Sequence, residues 1–138
     1  MKKLISALFL VFITLSIRAQ STLHMSTSYK QICYWNPSAS LFDKCGTNDE
    51  YPSLFTLNGD ETMFTHTTKD IKSSYYISKR DYISSCSCYS YAVTSDVGNK
   101  YTFIVDLEKD AVKILSSGHK DENDDYDIIF TIKSHWKE

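Results

Sequence analysis

Between Tyr89 and Leu115 the chain repeats one pattern so regularly that few folds can hold it. Tyr89, Tyr91, Val93, Ser95 and Val97 occupy every second position before Gly98-Asn99-Lys100 interrupts them. Tyr101, Phe103, Val105 and Leu107 resume the spacing, Glu108-Lys109-Asp110 interrupts again, and Val112 and Ile114 follow. A period of two marks a strand with one buried face, and turn-forming residues between such runs make a meander of antiparallel strands.

Side-chain pattern also constrains the register, because a slip of one residue turns every side chain to the other face. Placing Val97 opposite Tyr101 sets Ser95 against Phe103, Val93 against Val105 and Tyr91 against Leu107, which makes one continuous apolar face. A two-residue Gly98-Asn99 loop would oppose Phe103 to Thr94 and split the apolar set between faces. In the next hairpin the same rule opposes Val105 to Val112 and Phe103 to Ile114, with a four-residue type I loop around Glu108 and Lys109.

The chain opens with Lys2-Lys3, an apolar run from Leu4 to Ile17, and Arg18-Ala19-Gln20. That is the plan of a secretory signal peptide over residues 1–19, and the run is shorter than the roughly 20 apolar residues a membrane span needs. The expected product is exported, periplasmic or secreted. With its first cysteine at Cys33 it is not expected to be a lipoprotein, nor to span a membrane once the signal is removed. Cleavage after Ala19 leaves 119 of the 138 residues, the size of one domain. Loss of Lys2, Lys3 and Arg18 leaves twelve basic against seventeen acidic residues, with Arg80 as the one arginine. Nucleic-acid binding requires clustered Lys and Arg, so that class is excluded.

Residues 20–28 lack evident periodicity and are expected to form a flexible leader to a single β domain over 29–138. Tyr29 to Trp35 reads as a first strand ended by Asn36-Pro37. Ser38 to Lys44 reads as a turn of helix, and Cys45 to Pro52 as irregular. Ser53 to Leu57 and Glu61 to Thr67 flank the hairpin dipeptide Asn58-Gly59. Ser74 to Ser78 is another strand, and Lys79 to Ser87 a polar connection. After a loop over residues 116–125, Tyr126, Ile128, Phe130 and Ile132 alternate in a last strand. The fold class is therefore all-β: about eight antiparallel strands in a meander forming a small barrel, lipocalin-like in shape, with a sandwich as second choice.

Four cysteines in an exported chain read as two disulfides. Extended residues two apart hold their α-carbons wider than a normal bridge, which argues against joining Cys86 to Cys88. The expectation is that Cys33 and Cys45 each pair with one of Cys86 and Cys88. A redox-active Cys-Ser-Cys is the rival reading and needs an exposed thiol of lowered pKa.

Asp121, Asn123, Asp125 and Asp127 alternate as oxygen ligands do in a calcium loop, making them a weak metal candidate. The match fails where that loop needs Gly and a bidentate Glu, since Tyr126 and Ile132 stand there. His24, His66, His119 and His135 show no zinc spacing, and no Gly-x-Ser-x-Gly elbow exists. His66, among threonines, reads as a partly exposed strand residue. No cofactor is implied. The leading functional expectation is non-catalytic binding. One form is a small apolar ligand in the barrel mouth against Tyr91, Val93, Phe103 and Val105. The other is an inhibitor or interaction module for an envelope or extracellular protein. A hydrolase-type enzyme with His66 or His119 beside a carboxylate is the remaining alternative.

Overall fold

The computed structural model describes residues 20–138; the signal peptide expected over 1–19 lies outside them. The described residues form nine strands: β1 (Leu23–Asn36), β2 (Leu41–Cys45), β3 (Asp49–Leu57), β4 (Met63–Thr67), β5 (Lys72–Ile83), β6 (Cys88–Ser95), β7 (Lys100–Asp106), β8 (Ala111–Ser116) and β9 (Tyr126–Lys137). Consecutive antiparallel pairing runs from β3 to β9, and β1 pairs with both β3 and β9, closing an eight-stranded barrel. The ninth strand, β2, lies outside the ring. The first half of β1 pairs with β3 along one edge, and Cys33 to Asn36 further along pair with β2 instead.

Inward-facing residues fill the middle of the barrel. Phe55, Phe64 and Phe103 are fully buried and pack edge to face or tilted against Phe130 and Tyr91, with ring centroids about 5–6 Å apart. Met25, Val93, Val112, Ile114 and Ile132 complete the core. Burying each such side chain contributes about 1.5–3 kcal/mol, so the packed aromatic centre is the main source of stability.

The alternating face through β6, β7 and β8 is as the pattern demands, and Val105 opposes Val112 and Phe103 opposes Ile114. The β6–β7 register differs by four residues of β7 from the expected one: Tyr91 faces Phe103 instead of Leu107, and Val93 faces Tyr101 instead of Val105. An even shift preserves the face. Its cause is Ser95, whose N–H donates to the Asn99 carbonyl and whose Oγ accepts from the Asn99 N–H, closing a longer loop. Val97 then lies at the loop tip, 80% exposed, rather than in the strand.

Other boundaries move for local reasons. The expected leader is strand from Leu23 onward, because Leu23, Met25 and Thr27 turn inward between His24 and Ser26. Residues 41–45 form β2, not a helical turn. β3 starts at Asp49 and includes Pro52, which falls where the β1–β3 register shifts and so owes no ladder hydrogen bond. The expected polar connection after Ser78 is strand as far as Ile83.

The disulfides also differ from expectation: Cys33 bonds to Cys45, and Cys86 to Cys88. Cys33 and Cys45 are direct register partners, so their bridge clamps β2 to β1. The objection to joining Cys86 and Cys88 assumed extended backbone between them. Ser87 instead takes a left-handed φ of 52°, which draws the two α-carbons to 5.1 Å, inside the usual range for a bridge. On the chain-entropy account, the 12-residue separation of Cys33 and Cys45 is worth about 3 kcal/mol; the two-residue separation of the other pair is worth roughly half that.

Candidate functional site

One end of the barrel is open and forms a recess of about 540 Å³. Its apolar lining comes from the ends of strands: Leu23 of β1, Leu57 of β3, Tyr91 of β6, and Val105 with the following Leu107 of β7. Its polar wall is built by Glu61 and Arg80, with Tyr89 beside them.

A break in strand alternation creates that wall. Tyr75 and Ile77 of β5 face inward, and Ser78 has no partner in β6, so it forms a bulge. The Ser78 hydroxyl donates to the Ala92 carbonyl at 3.2 Å. Beyond the bulge the inward positions change parity, and Arg80 and Tyr82 come opposite Tyr91 and Tyr89. Re-aiming side chains in this way is a common role of bulges near binding sites.

The β3–β4 loop supplies the partner. Asn58 Oδ1 accepts from the Thr62 and Met63 N–H groups, and Asp60 accepts from the Thr62 hydroxyl. This bracing holds Glu61 at a left-handed φ of 55°. Its carboxylate meets the Arg80 guanidinium at 2.9 Å and accepts from the Tyr91 hydroxyl at 3.4 Å. The Arg80 guanidinium also lies 3.8 Å from the centre of the Tyr89 ring, a cation–π contact. Burial, with the Glu61 charge second, pushes the Tyr91 phenol up to about 12; Arg80 acts in the opposite direction. Tyr91 therefore stays a neutral hydrogen-bond donor throughout the physiological range. Gly59 is required here by close approach, since a Cβ on it would collide with the Gln20 carbonyl.

Of the four residues expected to line a pocket, Tyr91 and Val105 reach the recess. Val93 and Phe103 are buried in the packed centre. The sequence reading missed Arg80, Glu61, Leu23, Leu57 and Leu107. The available signal was the change of parity between Tyr75, Ile77 and Arg80, Tyr82.

The acidic series does not gather its oxygens. Asp121 caps the short 3-10 turn Glu122–Asp124 by accepting from Asn123 N–H, and Asn123 Nδ2 donates to the same oxygen. Asp125 accepts from His119 Nδ1 at 2.7 Å on an exposed loop. Asp127 is buried on β9, in register with Cys33, and its Oδ1 has no hydrogen-bond partner among the described residues. His119 thus does stand beside a carboxylate, outside any recess. His66 faces inward at the opposite end of the barrel, stacked on Phe55 at 4.0 Å, with Nε2 2.9 Å from Ser53 Oγ. Burial, followed by the Lys30 charge, lowers it to about 4, so the imidazole is neutral. Thr27 Oγ1 lies 2.6 Å from Ser53 Oγ and completes a short polar chain.

No family model matches this chain, and neither a curated protein nor a solved structure matches it.

Proposed function

We propose that the protein is an exported, non-catalytic binding module that holds a small amphipathic molecule in the mouth of its barrel. The observation that carries this reading is the recess itself: four aliphatic side chains and a tyrosine face, with one polar wall and a volume in the range of small-molecule sites. The Phe-filled centre limits the depth, so the ligand is short or lies across the mouth instead of threading the barrel.

Charge narrows the ligand class. Glu61 is already neutralised by Arg80, and Glu108 and Lys137 on the rim cancel each other in formal charge. A ligand with an apolar body and a net-neutral, hydrogen-bonding head matches this lining. A strongly charged head would have to separate an existing ion pair.

The test is titration of the mature chain with N-phenyl-1-naphthylamine, a neutral fluorescent amphiphile. Saturable fluorescence enhancement with one site per chain is expected. Leu107→Asp puts a charge on the apolar wall at a partly exposed position, and should weaken binding at least tenfold while the chain stays folded. Linear, non-saturating enhancement, or binding indifferent to Leu107→Asp, overturns the reading.

A further inference from the structure

We propose that the Cys86–Cys88 disulfide is a thiol–disulfide exchange site, which reacts with an external thiol or dithiol while Cys33–Cys45 stays closed. Both bridges join an accessible cysteine, Cys45 or Cys86, to a buried one, Cys33 or Cys88, but they differ in ring size and in the backbone they close. Cys33 and Cys45 are register partners across two strands, whereas Cys86 and Cys88 close a ring around one residue. That residue, Ser87, is held at a φ of 52°, a conformation that costs an L-residue free energy and that opening the ring releases. Few residues are constrained by so short a loop, so little of the fold depends on the bridge.

Access is asymmetric. Cys86 is partly exposed, but Cys88 is only 2% exposed. An incoming thiolate therefore reaches the Cys86 sulfur, and Cys88 is the leaving group, since attack follows access. A buried carboxylate stands beside both. Asp106 is 5% exposed, accepts from the Lys109 N–H at 3.0 Å, and has an oxygen within 4.8 Å of each sulfur. Ser87 lines the recess, so the exchange site lies at the lip of the same mouth.

The chemistry balances as two-electron exchange. A thiolate of the external dithiol attacks Cys86 Sγ; the Cys86–Cys88 bond breaks, a mixed disulfide forms at Cys86, and Cys88 leaves as a thiolate that takes up a proton. The second thiolate of the reductant then attacks its own sulfur in the mixed disulfide and expels Cys86 as a thiolate. The protein gains a dithiol and the reductant becomes a disulfide. In the reverse direction Cys88 gives its proton to water and its thiolate attacks Cys86 Sγ in the mixed disulfide, expelling the external thiolate; the neighbouring Asp106 charge opposes formation of that thiolate.

The experiment poises the intact mature chain in graded dithiothreitol buffers, quenches with N-ethylmaleimide and maps the labelled peptides. Labelling of Cys86 and Cys88 is expected at a reduced-to-oxidised ratio at least tenfold lower than labelling of Cys33 and Cys45, with the far-ultraviolet circular dichroism unchanged. Two variants then locate the attack. Cys88→Ser, treated with oxidised glutathione, should accumulate a glutathione adduct at Cys86, and Cys86→Ser should react at Cys88 at least tenfold more slowly. In the reduced protein, Asp106→Asn, which keeps the contact to Lys109, should move the pH profile of Cys88 alkylation to lower pH. Opening of Cys33–Cys45 first, simultaneous opening only on unfolding, or equal reactivity of the two single-cysteine variants overturns the proposal.

Discussion

Arg80 stands directly opposite Tyr91 across the β5–β6 ladder, on the inner side of the barrel, because Ser78 between them and Ile77 is a residue without a partner. Strict alternation from Tyr75 would have turned Arg80 outward. The polar wall of the recess is thus a consequence of one extra residue, and it brings together a guanidinium, a carboxylate from the β3–β4 loop and two tyrosine rings.

Deleting Ser78 should therefore be tolerated. The remaining residues pair as before, with Lys79 outward and Arg80 inward, and the loss is the local twist and one hydroxyl bond to Ala92, about 1 kcal/mol. Inserting an alanine between Lys79 and Arg80 has the opposite effect: it turns Arg80 outward and should abolish amphiphile binding in a chain that still folds. Thermal melts with probe titrations distinguish the two variants; binding lost on deletion and kept on insertion would contradict the register argument.

Arg80→Ala should act on binding more than on stability. The ion pair with Glu61 is partly exposed on both sides, 42% and 32%, and such pairs contribute at most about 1 kcal/mol. Without Arg80 the Glu61 charge faces the apolar recess unneutralised, so affinity for a neutral amphiphile should fall about tenfold. Melting and titration of the same sample give both quantities.

Much of the architecture was legible because hydrophobic period and turn chemistry agree through β7 and β8. Register was harder in β6–β7, where Val97 looks like a strand residue and the loop is decided by a serine side chain. Arg80 was illegible to a strict period of two, since a bulge reverses parity without any marker residue such as Gly. The cysteine pairing failed for a related reason: a distance rule for extended backbone does not foresee a serine at positive φ. His66 shared its parity with Phe64, so its inward direction was available from the sequence; its stacking on Phe55 was not.

His66 should make the fold acid-sensitive. Its pKa falls from 6.5 to about 4 on folding, so between these values the unfolded chain binds a proton that the native barrel does not. Stability is full above about pH 6.5 and declines as pH falls towards 4, by about 3 kcal/mol at most. In His66→Gln that decline should largely disappear. Urea midpoints measured from pH 7 to pH 4 in both proteins provide the comparison, and parallel curves would show that His66 titrates normally.

Asp127 should contribute a slope of the opposite sign. Its carboxyl is raised above the ordinary 3.8 by burial, which the nearby Lys113 only partly offsets, and one of its oxygens has no partner among the described residues. The native state therefore keeps this proton at a pH where the unfolded chain has released it. Stability from this group is highest below the unfolded pKa and is lost as pH rises to the folded one, leaving a cost at neutrality. Asp127→Asn removes the ionisation and should raise stability at pH 7 by about 1 kcal/mol, or about 4 °C in melting temperature. The gain should shrink as pH falls towards 3. His66 weakens the protein on acidification and Asp127 strengthens it, so the double variant His66→Gln, Asp127→Asn should show the flattest pH dependence of the series. The residues lie at separate sites on β4 and β9, and their effects should add. A gain from Asp127→Asn that is constant from pH 3 to pH 7 would place its cause in packing and not in the buried charge.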